Sequence, residues 1–129
     1  MTHPIVTLQG ALVTALRDDP ALVGVAVFDA PPKGAERPWI AIARHDVIAR
    51  DGDLAPGHEH RVLVQVWAAE ASRRAVMEIA ERVVAGAMGF AVTGLVVTLR
   101  RHDRTDTAID PGAGVARAVV GLRFYSEPV

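Results

Sequence analysis

The segment His58–Ala68 alternates with a period of two, and this pattern constrains the fold more than any other in the chain. Its even positions from residue 62 onward are all aliphatic: Val62, Val64, Val66 and Ala68. Successive side chains of a β-strand point to opposite faces of a sheet, so the alternation predicts a strand with one face in the core. The other face would carry Arg61, Leu63, Gln65 and Trp67.

The other periodicities predict two helices and four further strands. Apolar residues three or four apart predict a helix from Pro4 to Arg17, and another over residues 71–88 with Ser72 as its N-cap. We expect strands at residues 25–28, 39–50, 95–101 and 115–125, and a polar loop at residues 105–114. Residues 39–50 and 58–68 should form a long antiparallel hairpin.

This order of elements predicts one α+β domain spanning residues 1–129. We expect the order α-β-β-β-α-β-β, a mostly antiparallel sheet of about five strands, and two helices packed on one face of it. The uniformly apolar strand positions Val64, Val66, Val120 and Leu122 should then be buried under the helices.

Composition excludes several classes of function. A chain of 129 residues with 50% hydrophobic but only 5% aromatic residues can build an aliphatic core without a metal or disulfide. The formal net charge of −1 gives no global attraction to nucleic acid or an anionic membrane. Cysteine is absent, which removes disulfides and thiol catalysis and favours a cytosolic origin. The N-terminal segment has no basic region before its apolar residues, so we expect neither a signal peptide nor a membrane span.

The only local cluster that resembles a metal site is His58 and His60, two residues apart on one strand. No third ligand follows at a recognisable distance, so we interpret His58, Glu59 and His60 as solvated residues at a strand end. Asp51 and Asp53 could bind calcium, but their loop lacks the length and terminal Glu of an EF-hand. We expect no metal and no cofactor. An alternative is a small metal-dependent or acid/base enzyme built on these histidines and aspartates.

Other catalytic and binding motifs are missing. The only serines, Ser72 and Ser126, lie outside any Gly-x-Ser-x-Gly motif, and no phosphate-binding glycine loop is present. The arginines near the last two strands could form a positive stripe: Arg100, Arg101, Arg104, Arg117 and Arg123. Because no aromatic residues are interleaved with them, we favour a solvated face paired with Asp103 and Asp106 over a nucleic-acid surface.

The second face of the sheet has the composition of a protein interface, because large apolar side chains lie there among arginines. We predict that this face mediates self-assembly, with a homodimeric binding module as an alternative to a larger assembly. The predicted interface residues are Leu63, Gln65, Trp67, Arg117, Arg123 and Tyr125, together with Asp51 and Asp53 in the adjoining loop. The loops at residues 31–37 and 46–57 should add contacts.

Five short motifs, in this order and spacing, resemble the family of tail-completion or tail-terminator proteins of long-tailed phages and gene transfer agents. They are Leu8-Gln9 with Leu12, Val27-Phe28-Asp29 before Pro31, Arg37-Pro38-Trp39-Ile40-Ala41-Ile42, Val64-Gln65-Val66-Trp67, and Leu122-Arg123-Phe124. The resemblance spans nearly the whole chain. It departs at Ala43, where the family pattern leads us to expect a glycine.

The resemblance implies a structural protein rather than an enzyme, and no catalytic residue carries over. It implies a homo-oligomeric ring, usually a hexamer, that terminates the tail tube and joins it to the head connector. The implied partners are copies of itself, the tail tube protein and the head connector protein. DNA would pass through the central channel without sequence-specific binding. The implied location is a virion or phage-like particle assembled in the bacterial cytoplasm, without a membrane.

Overall fold

Two helices and five strands follow one another in the predicted order in the computed structural model, which describes residues 2–50 and 56–129. The elements are α1 (Pro4–Arg17), a 3-10 turn (Pro20–Leu22), β1 (Ala26–Phe28), β2 (Trp39–Ala49), β3 (His58–Ala68), α2 (Arg73–Gly89), β4 (Leu95–Asp110) and β5 (Val115–Pro128). The α+β class and the order α-β-β-β-α-β-β are confirmed.

The five strands form one sheet in the order β1-β2-β3-β5-β4. The short β1 runs parallel to β2 and pairs only with Trp39–Ala41, whereas all other neighbours are antiparallel. The predicted long hairpin of β2 and β3 is confirmed, with Ile40 opposite Val66 and Ala49 opposite His58. The sheet is therefore mostly antiparallel, as predicted.

Both helices pack on the same face of the sheet, which we call the covered face. The strand residues predicted to be buried, Val64, Val66, Val120 and Leu122, lie there and are at most 2% exposed. They join the apolar sides of the two helices in one cluster that includes Leu12 and Val83. The core is mainly aliphatic, with Phe90 and Phe124 as its aromatic members, and its burial contributes roughly 25 cal/mol per Å² of apolar surface.

Side-chain hydrogen bonds cap the beginnings of both helices and the end of α2. At the beginning of α1, the imidazole of His3 accepts a hydrogen bond from the Ile5 amide, and Pro4 is the first helical residue. At the beginning of α2, the Ser72 hydroxyl accepts a hydrogen bond from the Ala75 amide. At the other end of α2, the Arg100 guanidinium donates to the carbonyl oxygens of Ala87 and Phe90 at 3.1 and 2.6 Å. Each of these bonds satisfies a backbone group that the helix leaves unpaired.

The predicted boundary of the fourth strand is wrong. Residues 105–110 were expected in a loop, but β4 continues to Asp110 and only residues 111–114 form the turn to β5. As the outermost strand, β4 has no fully buried residue: its covered face is mostly half-buried and its open face is exposed. Polar residues therefore occur on both faces and hide the alternation typical of a strand. The last strand is also longer than predicted and ends at Pro128.

Ala43 occupies the place where the sequence departs from the family pattern. The register of β2 against β3 shifts between Ile42 and Arg44, so Ala43 lies in a β-bulge without a glycine. The predicted connection between β2 and β3 lies partly outside the described residues, because residues 51–55 are not among them.

Candidate interaction surface

The face of the sheet opposite the helices carries no other helix or strand among the described residues, and we call it the open face. Strand register assigns its side chains, because residues opposite each other in a sheet share a face. They include Trp39, Ala41, Arg44, Asp46 and Ile48 on β2, Glu59, Arg61, Leu63, Gln65 and Trp67 on β3, Arg117, Val119, Gly121, Arg123 and Tyr125 on β5, and Leu99, Arg101, Arg104, Asp106 and Ala108 on β4.

One end of the open face is aromatic. The rings of Trp39 and Trp67 lie 5.8 Å apart, and Phe28 meets Trp39 edge-on at 6.4 Å. The guanidinium of Arg117 lies over the Trp67 ring at 5.7 Å. Aromatic residues and arginine are both enriched at protein interfaces, and an arginine over a ring also gains cation–π attraction.

The centre of the open face is a shallow depression with an apolar floor and a charged rim. Leu63, which is 39% exposed, lies opposite Gly121, where the missing side chain leaves the floor low. Two ion pairs border it, Arg44 with Asp46 at 2.7 Å and Arg104 with Asp106 at 2.8 Å. Each pair joins residues two apart on one strand.

The other end of the open face combines a buried carboxylate with exposed apolar side chains. Glu59 is only 2% exposed and forms ion pairs with Arg61 at 2.7 Å and Arg50 at 3.5 Å. Burial raises the pKa of Glu59, but hydrogen bonds from Arg61 and Tyr125 and the nearby arginine charges outweigh it, so its pKa is lowered. Tyr125 and Leu99 are opposite each other and are 37% and 39% exposed.

The structure places all six described members of the predicted interface on the open face: Leu63, Gln65, Trp67, Arg117, Arg123 and Tyr125. They do not form one cluster, since Trp67 and Arg117 lie at the aromatic end and Tyr125 at the opposite end. Asp51 and Asp53 lie outside the described residues. The interface assignment of these side chains remains a prediction.

Three of the five arginines of the predicted positive stripe are ion-paired, namely Arg101, Arg104 and Arg123. Arg101 and Arg123 both contact Asp103 at 3.2 Å, and Arg104 contacts Asp106. Arg100 does not belong to this face, because it turns to the covered face, caps α2 and stacks over Phe90 at 4.5 Å. The arginines of the open face therefore meet carboxylates or an aromatic ring.

The interpretation of His58, Glu59 and His60 as solvated residues is wrong. His60 is fully buried on the covered face, where Nδ1 shares a 2.8 Å hydrogen bond with His45 Nε2, and Nε2 one of 2.7 Å with Ser126 Oγ. Burial lowers the pKa of both His45 and His60 to about 4. His60 is opposite Val47 on β2 and Phe124 on β5. His45 and Ser126 lie two residues from these partners on the same face of the sheet, which brings both side chains to His60. The local sequence around His60 gives no signal of this contact.

This histidine pair does not make an accessible reaction centre. Ser126 is 1% exposed, so its hydroxyl cannot reach a substrate in this structure. In residues 2–50 and 56–129, no three side chains of His, Asp or Glu are arranged to hold a metal ion. Within the same ranges, neither helix has the length and hydropathy needed to cross a bilayer.

Known proteins place the chain in a family. The family model described as tail completion protein gp17 matches residues 10–127, and the chain belongs to this family. The resemblance noted in the sequence is thereby confirmed. No curated protein sequence matches the chain.

The fold is shared with a chain from a gene transfer agent particle. A structure described as the virion of a native gene transfer agent (GTA) particle contains a chain that is 22% identical. The match covers 98% of this protein and 99% of that chain, with a TM-score of 0.80. At this level of identity, the match shows a common fold over nearly the full length of both chains.

Proposed function

We propose that the protein is a structural subunit of a phage or gene transfer agent tail, and that it forms a closed ring at the end of the tail tube. The family match over residues 10–127 carries this proposal. The fold shared with a chain of a gene transfer agent virion supports a place in such a particle. The whole chain, residues 1–129, would act as one tail-terminator-like domain.

The ring would join the tail tube to the head connector and contain six copies. A ring requires a heterologous contact, in which one patch of a subunit meets a different patch on its neighbour. The two ends of the open face differ in composition, because one carries Trp39 and Trp67 and the other carries the exposed Tyr125 and Leu99. They could therefore supply two different patches. In this proposal the partners are other copies, the tail tube protein and the head connector protein, and DNA passes through the channel without sequence-specific contacts.

The charge distribution agrees with a channel protein that does not hold DNA. The open-face arginines Arg44, Arg61, Arg101, Arg104 and Arg123 each contact a carboxylate. Binding to DNA depends on protein cations that neutralise phosphates and so release the counterions condensed on the DNA, and a cation already paired with a carboxylate contributes less. Assembly would take place in the bacterial cytoplasm, and the mature location would be the particle.

We propose no enzymatic role. The alternative of a metal-dependent or acid/base enzyme centred on His58 and His60 needs accessible imidazoles, and both nitrogens of His60 are engaged below the surface. The alternative of a homodimeric binding module would differ in stoichiometry, since a dimer uses one patch twice.

The proposal is tested by making particles without this protein. We expect filled heads and tails that fail to join, or tails of uncontrolled length, and we expect added purified protein to restore joining. Infectious or transducing particles formed normally without it would overturn the proposal. A copy number in particles that six does not divide would overturn the ring stoichiometry alone.

A further inference from the structure

The sheet has two open edges that face in opposite directions. At one edge of the sheet, β1 pairs only with Trp39–Ala41 of β2. Among the described residues, positions 42–49 of β2 therefore have β3 on their inner side and no strand on their outer side. On the other side, β4 is the last strand, and within the described ranges nothing pairs with its outer edge. An edge with unpaired backbone amides and carbonyls is a template for another strand.

The side chains of Arg100 and Arg104 on β4 turn to the two faces of the sheet and do not cover this edge. Arg100 bends over the covered face to the end of α2. Arg104 extends over the open face to Asp106 on its own strand. The usual protection of an edge by charged side chains that point outward from it is thus weak along this part of β4.

The directions of the strands suit a pairing between copies. Because β2, β3, β5 and β4 alternate in direction across the sheet, β4 runs opposite to β2. When a second copy is placed beside the first by rotation about an axis roughly parallel to the strands, its β2 lies antiparallel to β4 of the first. The helices of both copies then remain on the same side of the joined sheet.

Charges on the open face select one register for such a pairing. With Arg44 opposite Asp106 and Asp46 opposite Arg104, both cross-strand pairs have opposite charges, and His45 and Thr105 meet on the covered face. A shift by two residues places Arg44 opposite Arg104, or Asp46 opposite Asp106, depending on its direction. Like charges directly opposite each other in a sheet are destabilising, and a shift by one residue exchanges the faces.

We propose that β4 of one copy pairs with β2 of a second copy in this register, so that the sheet continues from subunit to subunit. This inference rests on the proposed ring and names its subunit contact. The ion pairs Arg44–Asp46 and Arg104–Asp106 would combine into a network of four alternating charges. The register shifts at Ile42/Arg44 on β2 and His102/Arg104 on β4 limit the length of the stretch that can pair, so each contact is short. Closure of the ring would make the last contact intramolecular and so strengthen the assembly as a whole.

Cysteine cross-linking tests this contact directly, because the chain has no cysteine of its own. In an Arg44→Cys, Asp106→Cys variant, the two sulfurs of one copy are separated by three strand spacings, about 14 Å, which is too far for a disulfide. Directly opposite residues of two copies are within range. Mild oxidation of concentrated protein should give a ladder of products that ends at the closed ring. Each single variant should stop at the dimer.

Exchange of charges tests the register in the joining assay. Arg44→Asp alone should fail to join heads and tails, since the new carboxylate would meet Asp106, and Asp106→Arg alone should fail because two arginines would meet. An equal mixture should restore joining, because the two variants can alternate around an even-numbered ring with complementary charges at every contact. Reversing the exposed pair on α2, by Arg74→Asp or Glu78→Arg, is the matched control and should leave joining unchanged.

The two assays separate this inference from the proposed function. If the parent protein fails to restore joining, the function is wrong, and the cysteine ladder still decides the edge contact. A folded double-cysteine variant that gives nothing beyond a dimer overturns the edge contact. The edge contact is also overturned if either charge variant joins heads and tails without the other. It is overturned as well if the mixture fails to join them although both variants have the melting temperature of the parent.

Discussion

The two faces of the sheet use the same strands for different purposes. On the covered face, Val64 and Val120 are opposite each other, fully buried and in contact with other apolar groups. One residue away on the open face, Leu63 is 39% exposed and lies opposite Gly121. The comparison indicates that the covered face determines folding and that the open face is available for association.

The largest expected effect comes from placing a carboxylate on each face in turn. Val64→Asp should unfold the protein, because an unpaired buried carboxylate costs several kcal/mol, comparable with the total stability of a small domain. Leu63→Asp should cost at most about 1 kcal/mol, because its side chain reaches solvent. Thermal melting of the two variants beside the parent measures the difference. A Val64→Asp protein that melts like the parent would show that the faces are assigned wrongly.

His45 and His60 are polar residues on the mainly apolar covered face. Because burial disfavours their charged forms, we expect acid to destabilise the protein. The pKa values of His45 and His60 are lowered to about 4 in the folded state, below the ordinary value of 6.5. The unfolded state therefore binds more protons between these limits, so stability should fall as the pH falls from about 6.5 to 4. The slope is at most about 1.4 kcal/mol per pH unit for each histidine.

Denaturant unfolding at pH 7 and pH 5 measures this effect, since most carboxylates remain ionised across that interval. The neighbours of the pair act in both directions: for His45, Asp46 opposes the lowering and His3 adds to it, and for His60, His58 and His3 add to it. A His45→Gln, His60→Gln variant, which cannot titrate at these positions, should lose most of the slope. An unchanged slope in that variant would assign the pH dependence to other groups.

The smallest predicted difference in stability is between alanine variants of Arg100 and Arg101, which are adjacent in β4 and lie on opposite faces of the sheet. Arg100→Ala should destabilise by about 1.5 to 3 kcal/mol, because it removes charged donors from two carbonyl groups at the end of α2. Arg101→Ala removes one exposed ion pair with Asp103 and should cost less than about 1 kcal/mol. Equal losses of stability in the two variants would contradict the distinction between the faces.

The sequence predicts best where one face of a strand is uniformly apolar. The even positions of β3 and β5 place Val64 and Leu122 in the core, and the parity of a strand then assigns Leu63 and Arg123 to the opposite face. Sequence spacing therefore assigns the six described residues of the predicted interface to their face. The same parity does not say which of them lie close together, because that depends on which strands are neighbours.

The failures have a common physical cause, since each depends on contacts distant in sequence. The end of β4 was missed because residues of an exposed edge strand need no apolar alternation. The burial of His60 was missed because Ser126, which bonds it, is 66 residues away. The free edges of β2 and β4 follow from the strand order, which no local pattern specifies.

If the open face serves assembly and not folding, the Leu63→Asp protein should fold but lose its joining activity. In particles made without the native protein, we compare the yield of joined heads and tails after adding parent or variant at equal concentration. We expect the Leu63→Asp protein to remain folded, with a melting temperature within several degrees of the parent, and to restore little or no joining. A variant that restores joining as well as the parent would contradict the claim.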